Sequence, residues 1–331
     1  MLKHSCDKDP GITRKKLGRG WAYFDADGKR ITDRAEIDRL NAIALPPAYI
    51  DAWFCPDPDG HIQATARDAR GRKQYRYHPD YRARRDASKY QGTREFGAAL
   101  PKLRRRVEAD LKRRKLGRDT VLAAVVRLLD QEHIRVGNEE YARDNKSFGA
   151  TTLRERHVLS KGGKMRMRFT GKGGVVHEAT ITDASLKRVV RQCQDLPGQK
   201  LFQYVNGDGQ PQAVDSADVN AYIRDATGGD FTAKHFRTWG ASVIAFDQML
   251  SAGEGRISLA TMIEPVAEAL GNTAAMSRKA YVHPALINAL KDRPRNPLRG
   301  MKRPRPHKRL TSAEVGLLKF LARKPRNTAT A

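Results

Sequence analysis

The sequence predicts an α+β protein, with a small β-rich N-terminal domain followed by a larger, mainly α-helical domain. Short apolar runs alternate with turn-forming clusters at first, apolar residues then recur with helical spacing, and a glycine-rich turn joins two strand-like runs within the helical part. We therefore expect a β-rich domain over 1–85, a helical domain with a lysine-bearing β-hairpin over 86–290, and a basic, proline-rich tail over 291–331.

In the N-terminal region, strands are predicted at 21–24 (Trp-Ala-Tyr-Phe) and 52–55 (Ala-Trp-Phe-Cys), because turn-forming Asp, Gly and Pro residues follow each run. Between them, Asp33 can cap a short helix, and the pair Pro46-Pro47 ends the helical pattern. A small sheet accompanied by one helix is the simplest arrangement of these elements.

In the second region, residues 120–129 are apolar enough to form a central buried helix. Two strand-like runs within 164–181 flank a Gly-Lys-Gly-Gly turn, which predicts a β-hairpin with Lys172 at its tip. We expect the segment 291–309 to be extended and mobile because it is dense in Pro, Arg and Lys. The other predicted helices span 182–194, 215–226, 232–249, 257–270, 274–290 and 312–322.

The composition indicates the kind of partner. The 331 residues include 63 Lys and Arg against 37 Asp and Glu, a formal net charge of +26, which indicates a polyanion. Membrane insertion is not expected, because no apolar run approaches the roughly 18 residues of a spanning helix. The N-terminus lacks the apolar core of a secretory signal, so we expect a cytoplasmic protein. Three distant cysteines, at 6, 55 and 193, predict neither a disulfide framework nor a zinc site.

Four residues could support chemistry on a phosphodiester. Tyr281 lies in a polar, basic segment and could trap the broken ester as a protein phosphoester, although a packed tyrosine is the alternative. The guanidinium groups of Arg135 and Arg237 could stabilise a negatively charged phosphorane, as any of the many arginines could. Lys172 could protonate a leaving oxygen, or its Gly-rich setting could serve only as a tight turn.

Several motifs occur in a characteristic order along the chain. They are 45–49 (Leu-Pro-Pro-Ala-Tyr), 68–78 (Asp-Ala-Arg-Gly-Arg-Lys-Gln-Tyr-Arg-Tyr-His), 134–137 (Ile-Arg-Val-Gly), 169–172 (Phe-Thr-Gly-Lys) and 234–238 (Lys-His-Phe-Arg-Thr). With these motifs the sequence resembles the small type IB DNA topoisomerases of the poxviral and bacterial kind. The resemblance implies a tyrosine recombinase-like catalytic domain that nicks one DNA strand through a 3′-phosphotyrosine, allows unwinding and reseals the strand. It implies no ATP, metal or other cofactor.

The resemblance also assigns the catalytic roles. It makes Tyr281 the nucleophile and Lys172 the proton donor to the leaving 5′ oxygen. Arg135, Arg237 and Asn272 then bind the nonbridging phosphate oxygens. Asn272 replaces the His of the poxviral enzymes, but its amide can still donate one hydrogen bond.

Further DNA contacts are implied by the same resemblance. Lys234, one helical turn before Arg237, matches a second lysine that assists protonation, with a simple phosphate clamp as the alternative. On a predicted strand of the first domain, Gln74, Tyr75 and Tyr77 could present one face to DNA, or the two tyrosines could pack into the sheet. Tyr141 matches a further base-contacting position.

The expected partner is double-stranded DNA, enclosed by a monomeric clamp in the cytoplasm as a nucleoid-associated protein. Two alternatives fit part of the sequence. A tyrosine site-specific recombinase would share the helical domain and a similar set of Arg, Lys and Tyr residues, but the motifs of the first domain favour a topoisomerase. A noncatalytic basic DNA-binding protein would explain the charge alone and would leave the five matched positions unexplained.

Overall fold

The computed structural model of the protein describes residues 1–18, 20–291 and 295–323, and of residues 86–88 the backbone alone. The chain forms two compact units, Met1–Gln91 and Gly92–Ala331. The first is built on a sheet and the second is mainly helical, which confirms the predicted α+β class. Within the described ranges, no helix is long and apolar enough to cross a membrane.

The first unit is a five-stranded antiparallel sheet with strand order β2-β1-β3-β4-β5. Its elements are β1 (Ile12–Leu17), β2 (Gly20–Phe24), α1 (Arg34–Ala42), β3 (Ile50–Phe54), β4 (Ile62–Arg67), β5 (Lys73–Tyr77) and α2 (Pro79–Ser88). The predicted strands and the Asp33-capped helix are present. Leu40 of α1 packs with Ile12, Tyr23 and Phe54 of the sheet in a small apolar core.

One of the sequence motifs of this unit has a structural role. The guanidinium of Arg14 donates to the carbonyl oxygens of Leu45 (2.9 Å), Pro46 (2.6 Å) and Tyr49 (3.2 Å). Its charged carbon also lies 4.1 Å from the ring centroid of Trp21. Proline has no N–H group to donate to a neighbouring strand, so the hydrogen bonds from Arg14 to these carbonyl oxygens hold the proline-rich loop against β1.

The boundary between the units lies after Gln91, whereas the sequence suggested residue 85. The expected boundary falls inside α2, and that helix belongs to the first unit because Tyr81 packs on the sheet. Its ring centroid is 5.0 Å from that of His61 and 5.4 Å from that of Tyr77. Local composition did not reveal this ring contact.

The second unit surrounds the buried helix α4, whose apolar run from Val121 to Leu129 lies in the main core, as predicted. Its elements are α3 (Thr93–Leu111), α4 (Arg118–Glu132), α5 (Glu139–Asn145), β6 (Val158–Lys161), β7 (Lys164–Thr170), β8 (Val176–Ile181), α6 (Ala184–Gln194), β9 (Gln203–Val205), β10 (Pro211–Ala213), α7 (Ser216–Thr227), α8 (Ala233–Ser251), α9 (Leu259–Leu270), α10 (Ala274–Ala280), α11 (Pro284–Lys291) and α12 (Ser312–Leu321).

The predicted lysine hairpin is present as β7 and β8, and β6 adds a third antiparallel strand that the sequence analysis did not identify. Along β7, Met165, Met167 and Phe169 are buried while the residues between them are exposed. This alternation docks one face of the sheet on the helical core. The turn that carries Lys172 extends beyond the paired strands.

The single helix expected over 274–290 is instead two helices, α10 and α11. Pro284 explains the break, because proline lacks an N–H group and keeps the preceding residue out of the helical conformation. Tyr281 lies in the connection, as the residue that ends α10.

The described part of the basic tail is folded on the second unit, which differs from the expected extended arm. Asn296 is buried, and its amide donates to the carbonyl oxygens of Met249 (2.6 Å) and Gly253 (2.8 Å). Leu298 and Leu317 are also buried in the main core. Asn296 and Leu298 lie among the basic residues of the tail, and Leu317 follows them. Residues 292–294 and 324–331 lie outside the described part of the chain.

Candidate active site

Four of the five predicted catalytic residues line one cavity of about 340 Å³ in the second unit, together with Lys234 and Tyr141. The lining residues are Arg135, Val136, Gly137, Asn138, Tyr141, Ser147, Phe148, Lys172, Ala233, Lys234, Arg237 and Tyr281. They come from the loop after α4, from α5, from the β7–β8 turn, from α8 and from the α10–α11 connection. Residues separated by more than 100 positions therefore meet at one place.

Tyr281 reaches this cavity because α10 ends at it. Its N–H donates to the carbonyl of Ser277 at 3.0 Å, and α11 begins three residues later at Pro284. The side chain is half-buried. The interruption of the helix thus leaves a phenol at the cavity wall with a fixed backbone behind it.

Arg135 joins the phenol to Asn272. Its Nη2 donates to Asn272 Oδ1 at 3.1 Å and lies 3.5 Å from Tyr281 Oη. Asn272 follows Gly271, which ends α9 in the left-handed conformation. The Nδ2 group of Asn272 is buried and has no hydrogen-bond partner among the described residues. The site therefore holds an amide N–H donor next to Arg135 that is available to a phosphate oxygen.

Arg237 lies in the first turns of α8 and is only 3% exposed. Its Nη1 donates to the carbonyl of His133 and its Nη2 to that of Leu270 (3.1 Å), while its charged carbon lies 4.8 Å from the ring centroid of Tyr281. In the described part of the chain no carboxylate bonds to it, and its Nε has no partner. Burial, and then the nearby charge of Arg135, lower the pKa of Arg237 to about 10.

The two arginines change the acidity of the phenol. Burial by itself raises the pKa of Tyr281, but the charges of Arg237 and then Arg135, with hydrogen bonds from both, outweigh it. The net result is a pKa below the ordinary value for tyrosine. A phenol that ionises more readily is a better nucleophile near neutral pH.

Lys172 occupies the exposed turn between β7 and β8. Its ammonium nitrogen lies 5.7 Å from the ring centroid of Tyr141, whose side chain is also exposed. Lys234 projects into the cavity from α8, one turn before Arg237. The cavity thus combines two guanidinium groups, of which that of Arg237 is buried, with the exposed side chains of Lys172 and Lys234.

The DNA-contact candidates of the first unit do not share one face. Tyr75 and Tyr77 are exposed on β5, with their rings 6.0 Å apart and nearly parallel at 10°. Gln74 points to the opposite side of the strand, where its amide donates to Asp68 Oδ2 at 2.9 Å. The expectation of one shared face is wrong for Gln74, because successive side chains of a strand alternate.

Sequence analysis did not identify two histidines near the cavity. His177 faces inward on β8, and His133 ends α4 in the left-handed conformation with its carbonyl bonded to Arg237. The available signal was the alternation of polar Glu178 and Thr180 with Ala179 and Ile181, which places His177 on the inward side of the strand. No local pattern marked His133.

No cluster of three or more His, Cys, Asp or Glu side chains suited to a metal ion occurs in ranges 1–18, 20–291 and 295–323. The three cysteines are free thiols, and those at 55 and 193 are buried. The arrangement at the cavity is therefore one of cationic and amide donors around a phenol.

Two family models match the chain. Residues 78–290 match the catalytic core of eukaryotic DNA topoisomerase I, and residues 20–68 match the N-terminal domain of bacterial DNA topoisomerase IB. The DNA topoisomerase 1B of Acanthamoeba polyphaga mimivirus is 31% identical over 82% of this chain and 85% of its own. The DNA topoisomerase 1B of Vaccinia virus (strain Copenhagen) is 20% identical over 68% of this chain and 71% of its own.

A solved structure of the XerH site-specific recombinase, in a post-cleavage complex with a palindromic difH substrate, aligns with a TM-score of 0.37 and 16% identity over 57% of this chain and 50% of its own. The family assignment depends instead on the two matching models, which together span most of both units, and on the mimivirus relative, whose match covers most of each chain. Residues of both units are thus matched by models of DNA topoisomerases. The chain is a member of the type IB DNA topoisomerase family.

Proposed function

We propose that this protein relaxes supercoiled duplex DNA by cutting and resealing one strand at a time. The observation that carries the proposal is the position of Tyr281, whose hydroxyl lies beside Arg135 and whose ring lies against Arg237. A nucleophile between two guanidinium groups is suited to attack on a phosphodiester, because the added negative charge develops next to fixed positive charge.

In the proposed reaction, Tyr281 loses its phenolic proton to water, its Oη bonds to a DNA phosphorus, and the bond from that phosphorus to the 5′ oxygen breaks. Arg135, Arg237 and the free amide donor of Asn272 bind the nonbridging oxygens, while Lys172 gives a proton to the departing 5′ oxygen, assisted by Lys234. The products are a 3′-phosphotyrosine and a free 5′ hydroxyl. The cut end rotates, and the reverse reaction reseals the strand.

This scheme requires neither ATP nor metal, since the phosphotyrosine conserves the energy of the broken ester. Its partner is double-stranded DNA, bound by a single copy that closes around it, with Tyr75, Tyr77, Gln74 and Tyr141 as further contacts. We place the protein with the DNA of the cytoplasm. The basic tail, 291–331, would add nonspecific phosphate contacts.

The test is relaxation of a supercoiled plasmid in EDTA without ATP, on DNA that lacks repeated target sites. The wild-type protein should relax it, and a reaction stopped with denaturant should leave protein attached to DNA 3′ ends. Tyr281→Phe should bind the same DNA but give no adduct and no relaxation, because only the nucleophilic oxygen is removed.

Each alternative gives a distinct result. A recombinase would require paired sites, and a noncatalytic DNA-binding protein would form no covalent adduct. Relaxation by the Tyr281→Phe variant would show that the nucleophile is another residue.

A further inference from the structure

The ring of His177 lies between the two catalytic loops of the cavity. Gly171 precedes Lys172, and Gly271 precedes Asn272. A Cβ atom added to Gly171 would lie 2.6 Å from His177 Cδ2, and one added to Gly271 would lie 2.7 Å from His177 Cε1. Such distances are too short for any Cβ, so both loops need glycine to approach the imidazole this closely.

The position of the ring is fixed from behind by the core. His177 pairs with Phe169 across β7 and β8. The two rings are stacked, with centroids 5.2 Å apart and planes 14° from parallel. Phe169 is 4% exposed and belongs to the main core. The imidazole therefore rests on a ring that is itself anchored in the core.

The imidazole is suited to packing rather than to proton transfer. Burial, and then the positive charges of Arg237 and Arg135, lower the pKa of His177 below its ordinary value, so the ring is neutral at neutral pH. Its nitrogens have no hydrogen-bond partner among the described residues, so its contacts with the loops are steric. A neutral ring held by steric contacts can keep the loops at Gly171 and Gly271 at a fixed separation.

The two loops differ in how they are held without the ring. Asn272 is tied by its N–H to the carbonyl of Ala267 (3.0 Å) and by its side chain to Arg135 (3.1 Å). The turn at Lys172 is closed within itself, by bonds from Gly171 N–H to the carbonyl of Val175 (2.7 Å) and from Gly174 N–H to the carbonyl of Gly171 (3.2 Å), and its lysine is exposed. Loss of the ring should therefore displace Lys172 more than Asn272.

We propose that His177 is a positioning residue for strand cleavage, which holds the Lys172 turn at its working distance from Asn272. The inference rests on the proposed function, in which Lys172 protonates the departing 5′ oxygen. A displacement of about 1 Å at such a group can reduce a rate by up to about 100-fold. The affinity for DNA should change little, because the ring itself makes no contact that DNA would replace.

The experiment measures single-turnover cleavage by the full chain at a mapped cleavage site, on two duplexes. One duplex is ordinary DNA and the other has sulfur in place of the bridging 5′ oxygen. With ordinary DNA, the P–O bond breaks and the oxygen takes a proton from Lys172. With sulfur, the P–S bond breaks and the thiolate leaves without a proton, because it is a much weaker base than an alkoxide.

We expect His177→Ala to cleave ordinary DNA about 10- to 100-fold more slowly than wild type, and to cleave the sulfur duplex within about threefold of wild type. His177→Gln, which refills most of the space, should recover most of the activity on ordinary DNA. Val176→Ala, a neighbouring exposed position on the same strand, is the matched control and should behave as wild type on both duplexes.

Equal losses by His177→Ala on the two duplexes, or no loss on either, would overturn the proposal. Lys172→Ala is tested in parallel. If the sulfur duplex does not restore its activity, the proposed proton donor is wrong, and that result is distinct from a failure at His177.

A second measurement applies if His177→Ala folds poorly. Gly171→Ala adds a methyl group against the ring and should slow cleavage of ordinary DNA with recovery on the sulfur duplex. In a His177→Ala background the same methyl group has room, so the added effect of Gly171→Ala should be smaller than in wild type. Strict additivity of the two substitutions would contradict direct contact between ring and turn.

Discussion

Arg104 and Arg237 are both largely buried arginines of the second unit, and their charges are compensated in opposite ways. Arg104 bonds to Asp130 through two contacts of 2.8 Å and to Glu314 at 2.8 and 2.9 Å. Its pKa is raised, since those carboxylates outweigh the effect of burial. Arg237 forms hydrogen bonds to two backbone carbonyl oxygens and to the side chain of Tyr281, with no carboxylate partner among the described residues, and its pKa is lowered.

The two environments suit different roles for the two charges. The carboxylates around Arg104 link α3, α4 and α12, and Trp239 Nε1 adds a bond of 3.0 Å to Glu314. Arg237 keeps an uncompensated charge at the wall of a cavity, where it costs stability. A buried cation without a counter-ion is explained if the counter-ion is the phosphate of the substrate.

The largest expected effect is on stability, at Arg104. Arg104→Ala leaves Asp130 and Glu314 buried without their cation and should lower the free energy of unfolding by roughly 3–5 kcal/mol. Chemical denaturation measures the change. Arg105→Ala, at an exposed position on the same helix, is the control and should have little effect. Equal results for the two variants would mean that the buried network does not stabilise the fold.

Arg237→Ala should show the reverse pattern. Loss of one donor to the transition state should slow DNA cleavage by about 10²–10³-fold. The effect on stability should be much smaller than for Arg104→Ala, since the penalty of burying a charge without a counter-ion disappears along with the hydrogen bonds of Arg237. Single-turnover cleavage and chemical denaturation on the same samples test both statements. A large loss of stability with a normal rate would reverse the assignment of the two arginines.

The pH dependence sharpens the role of Arg237. Tyr281 is more reactive when ionised, so cleavage should accelerate as pH rises through its pKa and level off above it. Arg237 provides the largest of the effects that lower this pKa. In Arg237→Ala the rising limb should therefore move to higher pH than in wild type. The sulfur duplex is the suitable substrate, because its cleavage does not depend on proton donation by Lys172. If the rising part of the pH–rate profile did not shift, the result would argue against the pairing of Arg237 with the phenol.

The smallest effect concerns exposed cations of the basic tail. Arg299, Lys302 and Arg305 have no acidic partner in the described ranges, whereas Arg303 bonds to Asp247 at 2.7 Å. Changing the three unpaired residues to Gln should reduce the salt dependence of DNA binding by up to about 0.9 in log–log slope for each phosphate that the variant no longer neutralises. Arg303→Gln is the paired control, expected to change the slope less. Binding titrations at several salt concentrations measure this slope. An unchanged slope for the triple variant would exclude these residues from the DNA interface.

Local sequence was sufficient to predict many of the elements. The cap at Asp33, the apolar run of α4 and the Gly-rich turn at Lys172 each depend on a few neighbouring residues, so their conformations follow from short-range preferences. The motifs also led to the family. By contrast, β6 is too short to stand out in the sequence, and the helical spacing of apolar residues over 274–290 conceals the break that Pro284 causes.

The sequence by itself determined the two-part α+β organisation, the excess of positive charge and the residue types available for phosphate chemistry. Only the tertiary structure decided that Tyr281 meets Arg135 and Arg237, that Arg237 lacks a carboxylate while Arg104 has two, and that the ring of His177 separates two loops. The physical reason is the sequence separation over which each kind of interaction acts. Caps, turns and strand alternation act within a few residues, whereas burial, pKa and contacts between residues over 100 positions apart depend on how the whole unit packs.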